Sequence, residues 1–183
     1  MHPLESVINS PEPLVLIGNS AEKRFPAYSY DAYARMGKKF YCFDMGGLPA
    51  SRGKTSGGKV YHAASELPED RGDLAVVGVH PTSAVAAVAL AHEAGCRRVW
   101  FSFGSGHRDA VSRAGELGMQ VVEIGRCPVL YLSEKRPESK GHELMTNVSG
   151  LYKQPPRTTP GAKRREMFCG GARTPTQDVS GGL

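Results

Sequence analysis

Four short segments of this 183-residue chain carry residue types suited to chemistry, and each follows an apolar run. The first is Gly18-Asn19-Ser20-Ala21-Glu22-Lys23-Arg24-Phe25-Pro26. It combines a glycine for close backbone approach, the Ser20 hydroxyl, the cations Lys23 and Arg24, and a proline suited to a first helical turn. Free amides at such a loop, with the dipole of the following helix, favour a phosphate. An ordinary turn with solvated cations has the same composition, and neither the dinucleotide-binding nor the P-loop glycine fingerprint is present.

The second segment begins at Asp44, 26 positions after Gly18. An acidic residue there accepts the ribose hydroxyls of NAD. Downstream, Arg52, Lys54 and Lys59 suit an additional phosphate, such as the 3′-phosphate of coenzyme A. Taken singly, each also reads as a strand-end carboxylate or a solvent-facing cation. The third segment, His80-Pro81-Thr82-Ser83, leads into a helix, so His80 either meets a ligand or closes a strand. In the fourth, Gly104-Ser105-Gly106-His107, the positions two before and two after Ser105 are Phe103 and His107. A nucleophile elbow needs glycine at both, which disfavours a Ser–His hydrolase and leaves His107 as a cap or surface residue. These loops hold no carboxylate pair at helical spacing and no zinc-protease motif. They offer a place to bind without evident bond-breaking machinery.

The cysteines at 42, 96, 127 and 169 form no CxxC pair, so neither a zinc site nor a disulfide framework is indicated. Cys127 lies beside Arg126, whose charge would lower a thiol pKa, but a buried structural cysteine is the better reading.

Positioning these loops requires regular elements. Leu14-Val15-Leu16-Ile17-Gly18 is a continuous apolar run, as in a strand buried on both faces. Residues 26–36 place Tyr30, Tyr33 and Ala34 at helical spacing, with Gly37 to end the helix. Further strands are expected at 39–44, 59–62, 74–79, 99–103 and 120–124. Helices are expected at 81–93 and 107–117, with a short turn at 65–67. The alternation predicts an α/β, Rossmann-like, doubly wound and mostly parallel sheet with helices on both faces.

Composition narrows the class. The mass is 19.7 kDa, mean hydropathy is −0.33, and the longest apolar run, residues 84–91, is far shorter than the roughly 20 residues of a spanning helix. Residues 1–13 show no secretory leader, so a soluble cytoplasmic protein is expected. Net charge is +5, but residues 1–133 hold 14 Lys/Arg against 13 Asp/Glu, while residues 134–183 hold 9 against 5. The basicity belongs mainly to the C-terminal stretch, which argues against nucleic-acid binding by the body. That stretch contains 12 Gly or Pro and few aliphatics. The expected organisation is an N-terminal extension (1–11), one domain (12–133) and a flexible basic tail (134–183), with docking of part of that tail on a partner subunit as the alternative.

Taken in order, the loops resemble the small CoA-binding proteins, standalone relatives of the CoA-binding domain of succinyl-CoA synthetase α subunits. The resemblance covers about residues 12–132. It rests on Ile17-Gly18-Asn19-Ser20 with Arg24-Phe25, on Gly58-Lys59-Val60-Tyr61 with Ser65-Glu66-Leu67-Pro68, and on Asp73-Leu74-Ala75-Val76-Val77. It continues through Gly95, Val99-Trp100, Gly104, Gly118 and Arg126-Cys127-Pro128. The resemblance implies a Rossmann-like domain with CoA at Gly18, Asn19, Ser20, Arg24 and Phe25, and with His80, Pro81 and Gly104 lining the rest of the cleft. Relatives carry Asn-Pro where this chain has Asp44-Met45, and an acidic group repels a 3′-phosphate. The expectation is a non-catalytic CoA- or acyl-CoA-binding sensor, carrier or regulator, with a homo-oligomer or a protein partner held through the tail left open. Two alternatives are an NAD-binding enzyme or redox regulator using Asp44, and an interaction protein acting through its basic tail.

Overall fold

Side chains of the run at 14–18 alternate between two cores: Val15 and Ile17 enter one, Leu14 and Leu16 the other. A strand buried on both faces has no polar side to show, which is why its sequence is continuously apolar. The computed structural model describes residues 2–22, 32–47, 59–133, 144, 148, 150 and 152–159. Its six strands are β1 (Leu14–Gly18), β2 (Phe40–Asp44), β3 (Val60–Tyr61), β4 (Leu74–Val77), β5 (Arg98–Phe101) and β6 (Gln120–Ile124). All pair in parallel, in the order β3-β2-β1-β4-β5-β6. This is the doubly wound Rossmann arrangement, and the order reverses between β1 and β4.

The helices with described bounds are α1 (Pro3–Ile8), α2 (Ala84–Glu93) and α3 (Arg108–Glu116), and residues 32–35 are helical as well. Ala84, Ala87, Val88 and Ala91 of α2 join Ala110 and Ala114 of α3 over one face. Their small side chains let the helices sit close to the sheet. The other face takes Leu4 and Ile8 of α1, Tyr33, and the 3-10 turn Pro128–Tyr131. Trp100 anchors this second core: it is fully buried and its indole N–H donates to the Arg126 carbonyl at 2.8 Å.

Several boundaries differ from expectation. Helix α2 starts at Ala84, because Pro81–Ser83 form a separate 3-10 turn capped by His80. Strands β4 and β5 end two residues early, at Val77 and Phe101. Of the helix expected at 26–36, residues 32–35 are helical and 26–31 lie outside the described residues. Helix α1 was not anticipated. His2 and Glu5 close a reciprocal capping box around it, and Asn9 bonds the Tyr131 carbonyl and the Ser133 amide.

Cys42, Cys96 and Cys127 are buried free thiols. Burial pushes Cys96 up to about 12, and burial together with the Asp44 charge raises Cys42 further still. Reaction requires thiolate, so iodoacetamide at pH 8 should leave Cys42 and Cys96 unmodified in the native protein and label both in urea. Labelling of either at its unfolded rate would contradict this packing.

Candidate functional site

In an open parallel sheet the reversal of strand order leaves a crevice at the carboxyl ends of the strands, where the flanking loops separate. Here those ends are Gly18 of β1 and Val77 of β4, with Asp44 of β2 alongside Gly18 in register. The two flanking loops are tied to each other and to the β2 loop.

The Asp44 carboxylate is buried, and each oxygen takes one hydrogen bond from Ser20. The Ser20 amide donates to Oδ1 and the Ser20 hydroxyl to Oδ2, both at 2.7 Å. Bonds to an ionised acceptor are about twice as strong as neutral ones, so this pair fixes the first turn after β1. Asn19 folds its side chain onto the Ala21 amide at 3.2 Å, and the Glu22 amide donates to the Asn19 carbonyl. The amides of Ser20, Ala21 and Glu22 are therefore all used within the fold.

Glu22 crosses the crevice. Its carboxylate accepts from the His80 amide at 3.2 Å and from the Ser83 hydroxyl. His80 in turn caps the 3-10 turn, its Nδ1 accepting from the Thr82 amide. Gly46 explains how closely the β2 loop approaches: a Cβ there would lie 2.3 Å from the Ala21 nitrogen and 2.7 Å from the Ser20 hydroxyl. His62, just past β3, completes this side by pairing its Nδ1 with the Asp44 carbonyl at 2.9 Å.

Gly18, Asn19, Ser20 and Asp44 thus come together, and His80 and Pro81 join them through Glu22. Gly104 lies beyond β4 along the same edge, in the turn after β5, with φ of +72°. Lys23, Arg24, Phe25, Arg52 and Lys54 lie outside the described residues. Lys59 sits at the amino end of β3, its ammonium 4.6 Å from the Tyr61 ring centroid, rather than at a strand's carboxyl end. His107 caps α3, accepting from the Asp109 amide. Glu22, Gly46 and His62 were missed because their partners are remote in sequence; Gly46 announced itself only as half of a Gly-Gly pair.

Gly46→Ala should displace the β1 loop at a cost of about 1–3 kcal/mol, the range for overpacking. Urea unfolding measures it. An unchanged midpoint would mean that the loops are not in contact.

Among the described residues, no three His, Cys, Asp or Glu side chains gather where they could hold a metal ion, and no helix is long and apolar enough to cross a membrane.

Comparison with known proteins adds a family and a fold. A family described as "CoA binding domain" matches residues 14–133, a span that contains all six strands. Similar folds occur in a protein redesigned for binding (TM-score 0.57, 22% identity, covering 73% of this chain and 93% of that one). A hypothetical protein from Pyrococcus horikoshii gives TM-score 0.56 at 20% identity, covering 70% and 86%. A conserved hypothetical protein from Pyrococcus furiosus gives 0.52 at 22% identity, covering 65% and 97%. No curated protein matches the chain.

Proposed function

This chain belongs to the family of CoA-binding domains, and from that premise we propose that it binds coenzyme A or an acyl-CoA in the crevice between β1 and β4 without transforming it. What carries the reading is that the matched span includes the three loops tied together at that crevice. Arg24 and Lys23 supply cations for the phosphates and Phe25 an apolar surface for the adenine. His80, Pro81 and Gly104 line the path of the pantetheine arm. Asp44 acts as a positioning residue, each of its oxygens accepting a hydrogen bond from Ser20. A protein of this kind senses or carries the thioester, or presents it to a partner enzyme.

The test is ligand-linked stabilisation, which reaches about 2.7 kcal/mol at a ligand concentration of 100 Kd. CoA should raise the melting temperature of the wild type, and Arg24→Ala should lose most of that rise while melting normally without ligand. An Arg24→Ala variant stabilised as strongly as wild type would remove Arg24 from the site. No rise with millimolar CoA would remove the function.

A further inference from the structure

We propose that the face formed by α1, the end of β6 and the Pro128–Tyr131 turn is a peptide-docking groove that reads main chain, and that the chain fills it with its own residues 152–159. The groove's polar centre is the ion pair of Glu123 and Arg126, both buried, with 2.7 Å between Oε2 and Nη2. A guanidinium has five donors, and a buried one must satisfy those that its carboxylate leaves over. Arg126 gives one to the Tyr131 hydroxyl at 3.0 Å. It also donates to two successive carbonyls of the C-terminal segment, Gln154 at 2.8 Å and Pro155 at 2.5 Å. Glu123 Oε2 accepts the Arg157 amide at 2.9 Å. The pair therefore offers donors for two adjacent carbonyls and an acceptor for the amide two residues further on. These three contacts are made to backbone, not to side chains.

The segment's sequence suits this pattern. Pro155 and Pro156 have no amide hydrogen, so the stretch between the bonded carbonyls and the bonded amide carries no donor in need of a partner. Their fixed φ also lowers the entropy lost on docking, as in other proline-rich ligands of aromatic grooves. The aromatic wall is Tyr131, which stacks on Tyr152 with centroids 5.1 Å apart and planes within 10°. The Tyr152 hydroxyl bonds Glu5, and His2 reaches the Gln154 carbonyl at 2.9 Å. The ligand class is a Tyr-x-x-Pro-Pro-Arg segment, supplied here in cis.

The experiment uses the full chain carrying Tyr152→Ala and Arg157→Pro, which removes the stacking ring and the amide donated to Glu123. The probe is a fluorescein-labelled synthetic peptide of residues 150–159, read by anisotropy. The variant should bind it saturably. Wild type should bind at least tenfold more weakly, because its tethered segment competes at an effective concentration of roughly millimolar. A peptide carrying Arg157→Pro should not bind the variant. Equal affinity for variant and wild type, or no binding to a folded variant, overturns the proposal. Amide exchange on the wild type decides the matter if the variant fails to fold. The Arg157 amide should exchange at least 100-fold more slowly than an unstructured amide, and exchange at the unstructured rate overturns the proposal as well.

Discussion

Asp44→Ala is expected to lower the unfolding free energy by about 3 kcal/mol and to weaken CoA binding by more than tenfold. Two hydrogen bonds to a buried charged acceptor disappear together, at about 1.5–3 kcal/mol each, and the Ser20 amide loses its partner. Ser20 is only half-buried, so water recovers part of the loss and the lower end of the sum applies. Binding suffers because Asn19, Ala21 and Glu22 take their positions from the turn that Asp44 holds. Ser20→Ala removes only the hydroxyl bond and should cost about 1.5 kcal/mol. The double variant should be close to Asp44→Ala alone, because both changes remove one interaction. Urea unfolding measures all three. Additive losses would show that Asp44 and Ser20 act separately.

Trp100→Ala should destabilise the protein by about 3–5 kcal/mol, the range for deleting a large buried aromatic. The indole is fully buried, lies 5.9 Å from the Tyr131 ring and holds the Arg126 carbonyl. Its loss leaves a cavity and takes the indole donor from the Arg126 carbonyl. At about 2–4 °C per kcal/mol for a chain of this size, the melting temperature should fall by roughly 10 °C. CoA affinity measured well below that temperature should be almost unchanged, since Trp100 packs in the core lined by α1, away from the crevice loops. The two substitutions thus separate fold from site. A Trp100→Ala protein that stayed folded but lost CoA would contradict this division.

The sequence was most legible where the sheet is buried on both sides. β1 and β4 are unbroken apolar runs, and β2 is one up to its terminal Asp44, because no face of these strands meets water. Helix α3 was legible through its apolar period and the glycine that ends it. Helix α1 was not, since six residues give too little period and its cap is a histidine. The crevice was legible as a place, because loops following apolar runs cluster at one edge of any parallel sheet. Its internal wiring was not. Glu22 looked like one more charge in a polar loop, and its partners lie 58 and 61 residues away. Asp44 stood out by position, but sequence offers no means of knowing that Ser20 donates to both its oxygens. Residues 152–159 were hidden for a related reason. Their composition promises no core of their own, and their contacts are made to groups already buried by the rest of the chain.

The central claim is that the crevice between β1 and β4 takes coenzyme A. Calorimetric titration of the full chain with CoA, dephospho-CoA, NAD and NADP tests it most directly. The prediction is one saturable site for CoA, weaker binding of dephospho-CoA, and no measurable heat with either nicotinamide cofactor. Tight NAD binding with no response to CoA would contradict it and return Asp44 to the ribose.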